Sequence, residues 1–279
     1  GNAYNYAHDP YIINFGTNLS LASYVKAYDD RENPLEIWTN EKKEVVSYIW
    51  DTKHSKKLAE AANAEYADIA YTSFEGGNTY TALSYADYNK GNWDFDKTFI
   101  KAYTDMPDDK TMTGRYGYLM KTPSGPVEPS TIRSRQLNEK EYLLTFWCIS
   151  AGSNSAAPIV NVWNGAWFQG APTLTLQNEV GDWKLYSVII NADQNDHIEL
   201  KATTGDDGYY IDEIRLHPTD ATMASYTYEH LIGTSSVNNA NNNISYTEYD
   251  EYGRYIRTRD LRRNIVQQVE ERYKDLDGQ

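Results

Sequence analysis

The chain of 279 residues has a single cysteine, Cys148, no long apolar run and few basic residues. One cysteine permits no internal disulfide and no thiolate metal cluster. Its setting, Leu143-Leu144-Thr145-Phe146-Trp147-Cys148-Ile149, reads as that of a small buried hydrophobe. No stretch approaches the roughly 20 apolar residues of a membrane-spanning helix. No charged-then-apolar leader opens the chain, so no signal peptide is expected from it. Gly1 in place of Met reads as the start of a piece of a longer protein. Lys and Arg total 26 against 40 Asp and Glu, a formal charge of −14. That balance argues against a nucleic-acid partner, which needs clustered cations for phosphate, and against an anionic membrane surface.

What is abundant is Tyr and Trp, 25 and 7, beside 6 Phe and 4 Met. These side chains join a large apolar body to a polar tip, which suits strands, half-wet surfaces and sugar-facing sites. At 40% hydrophobic and 24% charged residues the chain is globular. Three segments are near copies: Ser47-Tyr48-Ile49-Trp50-Asp51, Ser225-Tyr226-Thr227-Tyr228-Glu229 and Ser245-Tyr246-Thr247-Glu248-Tyr249-Asp250. Each is an aromatic, strand-like stretch ending in a carboxylate. They bracket a long middle region of different texture.

Alternation in Leu35 to Trp38 and Val45 to Trp50, around a polar connector, predicts a β-hairpin. Residues 55–70, rich in Ala, Lys and Glu, predict a short helix or helical turn at a domain junction. From about 70 to 217, short strands alternate with Gly, Pro, Asn and Asp turns. Such a pattern, with no strong helix, predicts an antiparallel sandwich, and about eight strands in roughly 150 residues fit a jelly roll. Asn238 to Asn243 reads as a low-complexity loop. Gly253 breaks the following strand pattern as a hairpin turn would. The expected class is therefore all-β: an N-terminal repeat-like hairpin segment with a helical connector (1–69), a jelly-roll sandwich (70–217) and C-terminal repeat hairpins (218–279).

The pairs Tyr249-Asp250 and Gly253-Arg254 resemble the Rhs or YD-repeat family. Tyr228-Glu229 departs from that pattern with Glu for Asp, and Tyr48-Ile49-Trp50-Asp51 is looser still. The resemblance covers about a quarter of the chain. It implies β-hairpin units of large surface or secreted proteins, with further repeats of the same polypeptide as neighbours. The middle region resembles jelly-roll carbohydrate-binding modules with a galactose-binding-like fold. The matching pieces are Phe74-Glu75-Gly76-Gly77, Tyr116-Gly117-Tyr118-Leu119, Tyr142 to Trp147, Trp183 to Val188 and Tyr209 to Leu216. It implies glycan as the partner, a cell-surface or secreted location and a structural calcium held by Glu75 and Asp212. The plain alternative is that Asp212 caps a turn and Glu75 is solvated.

Trp163, Trp167 and Phe168 lie in a Gly-bearing stretch between strands, where aromatics are hard to bury, and form the candidate sugar platform. Trp93, Tyr85 and Tyr88 are candidates for a second wall. The alternative is that these rings fill the sandwich. Adjacent carboxylates such as Asp94 with Asp96, or Asp206 with Asp207, are read as turn formers. No nucleophile elbow, phosphate loop or metal-type His spacing is present, so no enzyme activity is expected. The basic group Arg254, Arg257, Arg259, Arg262 and Arg263 reads as a solvated hairpin face or as a contact to an acidic neighbour.

Overall fold

In the computed structural model the described residues are 23–39, 44–53, 55–75, 90–106, 111–121, 130–153, 157–203 and 207–269. The first strands are β1 (Ser23–Tyr28), β2 (Pro34–Thr39), β3 (Val45–Trp50) and β4 (Lys57–Ala62). Next come β5 (Ala70–Thr72), β6 (Trp93–Phe95), β7 (Ile100–Ala102), β8 (Tyr116–Met120), β9 (Ile132–Ser134) and β10 (Lys140–Ser150). They are followed by β11 (Ile159–Asn164), β12 (Trp167–Gly170), β13 (Thr175–Val180), β14 (Trp183–Ala192), β15 (Asp196–Lys201) and β16 (Tyr209–Pro218). The last are β17 (Thr222–Glu229), β18 (Gly233–Asn238), β19 (Ile244–Tyr249), β20 (Tyr255–Arg259) and β21 (Ile265–Gln268).

Three antiparallel sheets result. Strands β5 to β16 build a jelly-roll sandwich from a seven-stranded sheet, β13-β14-β10-β16-β8-β7 with β5 also on β16, and a five-stranded sheet, β12-β11-β15-β9-β6. The strands before and after it share one nine-stranded sheet, β1-β2-β3-β4-β17-β18-β19-β20-β21. Strand β4 therefore pairs with β17, Ala59 opposite Ser225, across the whole sandwich.

Residues 55–70 form no α-helix: Lys57–Ala62 is strand β4, and only Tyr66–Asp68 makes a 3₁₀ turn. Ala59 and Ala61 are fully buried against Ile69 and Tyr71. Small side chains let the sheet approach the sandwich, and that tertiary fit overrides their helix propensity.

Between the sandwich sheets lies a core that includes Tyr118, Tyr142, Leu144, Phe146, Ile198, Leu200, Ile211 and Ile214. Each fully buried side chain of this size contributes roughly 1.5–3 kcal/mol. Strand β10 is buried on both faces: Tyr142, Leu144, Phe146 and Cys148 point inward, while Trp147 and Ile149 join a second cluster with Ile244 and Tyr246 of the nine-stranded sheet. The seven-stranded sheet is thus a middle layer, which explains the near-continuous apolar run around Cys148.

The hairpin ends of the nine-stranded sheet repeat one device. Asp29, Asn239, Asp250 and Asp260 each begin a five-residue turn, and each donates its backbone N–H to the carbonyl four residues on: Asn33, Asn243, Arg254 and Asn264. The side-chain oxygen of the first residue accepts the N–H groups of residues two or four further on. The fourth residue takes positive φ: Glu32, Asn242, Gly253 and Arg263. The last side chain often donates to the second carboxylate oxygen, as Arg254 Nε does to Asp250 at 2.7 Å and Asn264 Nδ2 does to Asp260 at 3.0 Å. An Asp or Asn that mimics a backbone turn defines the unit. Asn238 to Asn243 is accordingly a strand end and a structured turn.

Candidate functional site

The five-stranded sheet turns one face to the core and the other outward. In β11 and β15 the pairs Val160–Leu200 and Val162–Ile198 face the core. Strict alternation then puts Asn161, Trp163, His197 and Glu199 on the outer face. Trp163 lies opposite His197 and opposite Phe168 on the neighbouring edge strand. The two rings meet edge to face, with centroids 5.3 Å apart, a favoured aromatic geometry. In the next row Arg133 of β9 is opposite Glu199 and Asp94, and its Nη2 donates to Glu199 Oε2 at 2.8 Å. Burial and the Arg133 charge hold His197 below the usual histidine range. A neutral ring offers one donor and one acceptor. The Trp163 indole N–H has no partner among the described residues. The face thus joins an edge-to-face aromatic pair to neighbouring polar groups.

The hairpin carrying the aromatics turns at Gly165-Ala166, with φ of +58° at Gly165. Positive φ at the first residue of a two-residue loop matches strand twist. Trp167 lies opposite Asn164, one register position from the Trp163–Phe168 pair, so its side chain leaves the hairpin on the other face. Trp167 is 78% exposed and Phe168 55%. The three expected platform residues therefore divide: Trp163 and Phe168 share a surface and Trp167 does not. Trp93, expected as a second wall, is instead 2% exposed within the sandwich core. Tyr85 and Tyr88 lie outside the described residues. His197, Arg133 and Glu199 were not singled out by sequence, although the alternation His197-Ile198-Glu199-Leu200-Lys201 carries the signal.

Glu75 and Asp212 do fall in one neighbourhood. Asp212 is fully buried, and its two oxygens accept the backbone N–H groups of Thr113 at 2.8 Å and Glu213 at 2.7 Å. Glu75 Oε1 accepts those of Arg115 at 2.7 Å and Tyr116 at 2.9 Å. Gly114 makes this possible: its φ is +60°, and a Cβ there would lie 2.2 Å from Glu75 Oε1. The pair does not fit calcium, which needs a shell of oxygen acceptors. These carboxylates face N–H donors, and the described residues hold no group of three or more metal-ligating side chains. Burial, reinforced by the charge of Glu213, raises Asp212 well above the usual carboxylate range. Burial also pushes Glu75 up to about 7 against its N–H donors.

Next to Asp212, and close enough to raise both carboxyls, is Glu213, which sequence reasoning passed over. Opposite Phe146 the β10–β16 register slips, pairing Thr145 with Arg215 and then Trp147 with Asp212. Ile211 and Ile214 both face the core, so this bulge sends two successive carboxylates toward the nine-stranded sheet. Glu213 adopts φ of +51°, a strained value for a non-glycine residue. Its carboxylate accepts from Tyr71 Oη at 2.6 Å, Thr113 Oγ1 at 2.7 Å, Ser225 Oγ at 2.9 Å and Asn238 Nδ2 at 3.0 Å. Arg215, 1% exposed, donates through Nη1 to Asn239 O at 3.0 Å and to Asn242 Oδ1 at 2.9 Å, and through Nη2 to Met223 O. These two buried ions clasp the sandwich to the hairpins. In the basic group, Arg254 pairs with Asp250 and Arg257 and Arg259 with Glu248, while Arg263 stacks on Tyr246 with its guanidinium 3.3 Å from the ring centre.

No family model matches the chain, and no curated protein matches it in sequence. Solved structures similar to it include the xylan-binding CBM22-1 domain of Xyn10C from Paenibacillus barcinonensis, at 14% identity and a TM-score of 0.34, covering 54% of this chain and 94% of that one. The K1 cleaved adhesin domain of Lys-gingipain from Porphyromonas gingivalis is 15% identical with a TM-score of 0.34, covering 54% and 98%. The K3 domain of the same protein is 15% identical with a TM-score of 0.30, covering 45% and 89%. At such scores the architecture rests on the strand order itself. No helix of the described residues is long and apolar enough to cross a membrane.

Proposed function

We propose that the chain is a non-catalytic binding module of a larger repeat-bearing surface or secreted protein, and that it takes a glycan on the outer face of its five-stranded sheet. The carrying observation is the Trp163–Phe168 pair at the sheet edge, with His197, Glu199 and Arg133 in register beside it. Aromatic faces suit the C–H surface of a sugar ring, and the polar row suits its hydroxyls. Glycan-array screening followed by calorimetry tests the reading. The expected result is at least one saccharide ligand whose binding is lost in a Trp163→Ala/Phe168→Ala variant that still folds. Blank arrays with well-folded wild-type protein would sink it.

A second reading treats the sandwich as a spacer that braces the repeat hairpins and binds nothing soluble. The Glu213–Arg215 clasp supports it, since it commits buried charge to holding the two parts together. The same arrays separate the readings.

A further inference from the structure

The turn between β17 and β18 borders a cleft of about 790 Å³, which Glu75 and Arg115 of the sandwich also line. Leu231, at this turn, has φ of +58° and is 88% exposed. Apart from it, Phe74 is the one apolar side chain among the described non-glycine residues with positive φ, and Phe74 is fully buried. A bulky apolar residue in the left-handed region is strained. Exposing it gains nothing from burial. Asn or Gly would serve the turn better, so the fold does not account for Leu231. Ile232 beside it is 41% exposed, and both line the cleft.

The charge of the cleft is the second observation. Its lining carries Lys53, Lys56 and Arg115 against Asp51 and Glu75, in a chain whose formal charge is −14. The Asp51 carboxylate is engaged by the N–H groups of Ser55 at 2.6 Å and Lys56 at 3.0 Å, and Arg115 is paired with Glu229. Lys56 is held over the Tyr228 ring, 4.9 Å from its centre. Neither Lys53 nor Lys56 has a carboxylate within ion-pair distance among the described residues. Two unmatched cations beside two exposed aliphatic side chains suit a peptide better than a neutral saccharide, because a peptide brings carboxylates and apolar side chains together.

We propose that this cleft docks an acidic peptide segment of a partner protein, with its carboxylates at Lys53 and Lys56 and an aliphatic side chain on Leu231 and Ile232. The site is independent of the glycan face. The test is selection of phage-displayed random dodecapeptides on the intact chain, then anisotropy titration of the enriched peptide after synthesis. The expected outcome is an acidic consensus with an aliphatic residue. Affinity should weaken by about tenfold or more, some 1.4 kcal/mol, in Lys53→Glu/Lys56→Glu and again in Leu231→Asn. Leu231→Asn should also raise the melting temperature by a few degrees, since strain is relieved. Phe168→Ala should leave peptide binding unchanged. Selection without an acidic consensus, or binding that survives both cleft variants within about twofold, overturns the proposal. So does polygalacturonate binding that depends on Lys53 and Lys56 when no peptide binds.

Discussion

Both sheets of the sandwich have a polar outer face, and the two have opposite fates. On the five-stranded sheet His197 is half-buried and the Arg133 side chain is 52% exposed. On the seven-stranded sheet Asp212, Glu213 and Arg215 are sealed at 2% exposure or less. Strand alternation sets both faces, with the bulge at Asp212-Glu213 adding one carboxylate to the second. The difference is the nine-stranded sheet, which covers one face and leaves the other. A charged group pays little on the first face, whereas on the second every oxygen and nitrogen must find a partner. Polarity along a strand therefore marks the outer side of a sheet without saying whether water or another sheet lies there.

The largest test of this contrast is Glu213→Ala. Removing the carboxylate orphans four donors, so unfolding stability should fall by about 3 kcal/mol or more in urea titration at neutral pH. Arg133→Ala, whose side chain on the five-stranded sheet is 52% exposed, should cost about 1 kcal/mol at most. Equal losses would break the comparison. Gly114→Ala comes next, at about 2 kcal/mol, because it combines positive φ with a collision against Glu75. Asp250→Ala should lower stability by less than Gly114→Ala does, since its turn is solvent-facing; the readout is the same titration.

A subtler effect concerns pH. Glu75 keeps its proton up to about 7 in the folded chain, whereas an unfolded glutamate releases it near 4.3. The folded state then binds more protons across that window, so its contribution to stability falls as pH rises through it and is flat above. Asp212 acts in the same direction. The advantage of Glu75→Gln over wild type should therefore grow from pH 5 to pH 8 in thermal melts; a constant offset would mean that Glu75 is not perturbed. The smallest stability effect is expected for Trp167→Ala, within about 0.5 kcal/mol, because that ring is largely in solvent.

Much of the sandwich was legible in the sequence. Strands β8, β10, β11, β14, β15 and β16 stand where alternation and turn residues put them, and Cys148 is buried as its neighbours suggest. Strands β5, β6, β7 and β9 have three residues each, too short for any periodicity to register. Strand β4 was hidden by its alanines, chosen for close approach rather than for helix. The rings of Trp163, Trp167 and Phe168 stand out in the sequence, but their two-faced arrangement depends on the register at Gly165, which a list of rings does not contain. Glu213 was invisible because a bulge has no marker in Asp212-Glu213-Ile214. The Asp-led turns were in plain view at Asp29, Asp250 and Asp260, and a search for Asp followed four residues later by Asn or Arg would have found them.

The pairing of Ala70 with Leu216 in β5 and β16 bears on the order of folding. Strands β4 and β17 must meet although the sandwich separates them in the chain, and a flexible connection of that length imposes a large closure entropy and slow pairing. Once the sandwich has formed, its first and last strands lie side by side, and the remaining connections to β4 and β17 are only a few residues long. The sandwich then acts as a splice that turns a distant meeting into a local one. The hairpins on either side can join as though they were consecutive, and a sandwich that folds slowly would leave two sheet edges exposed until it finished.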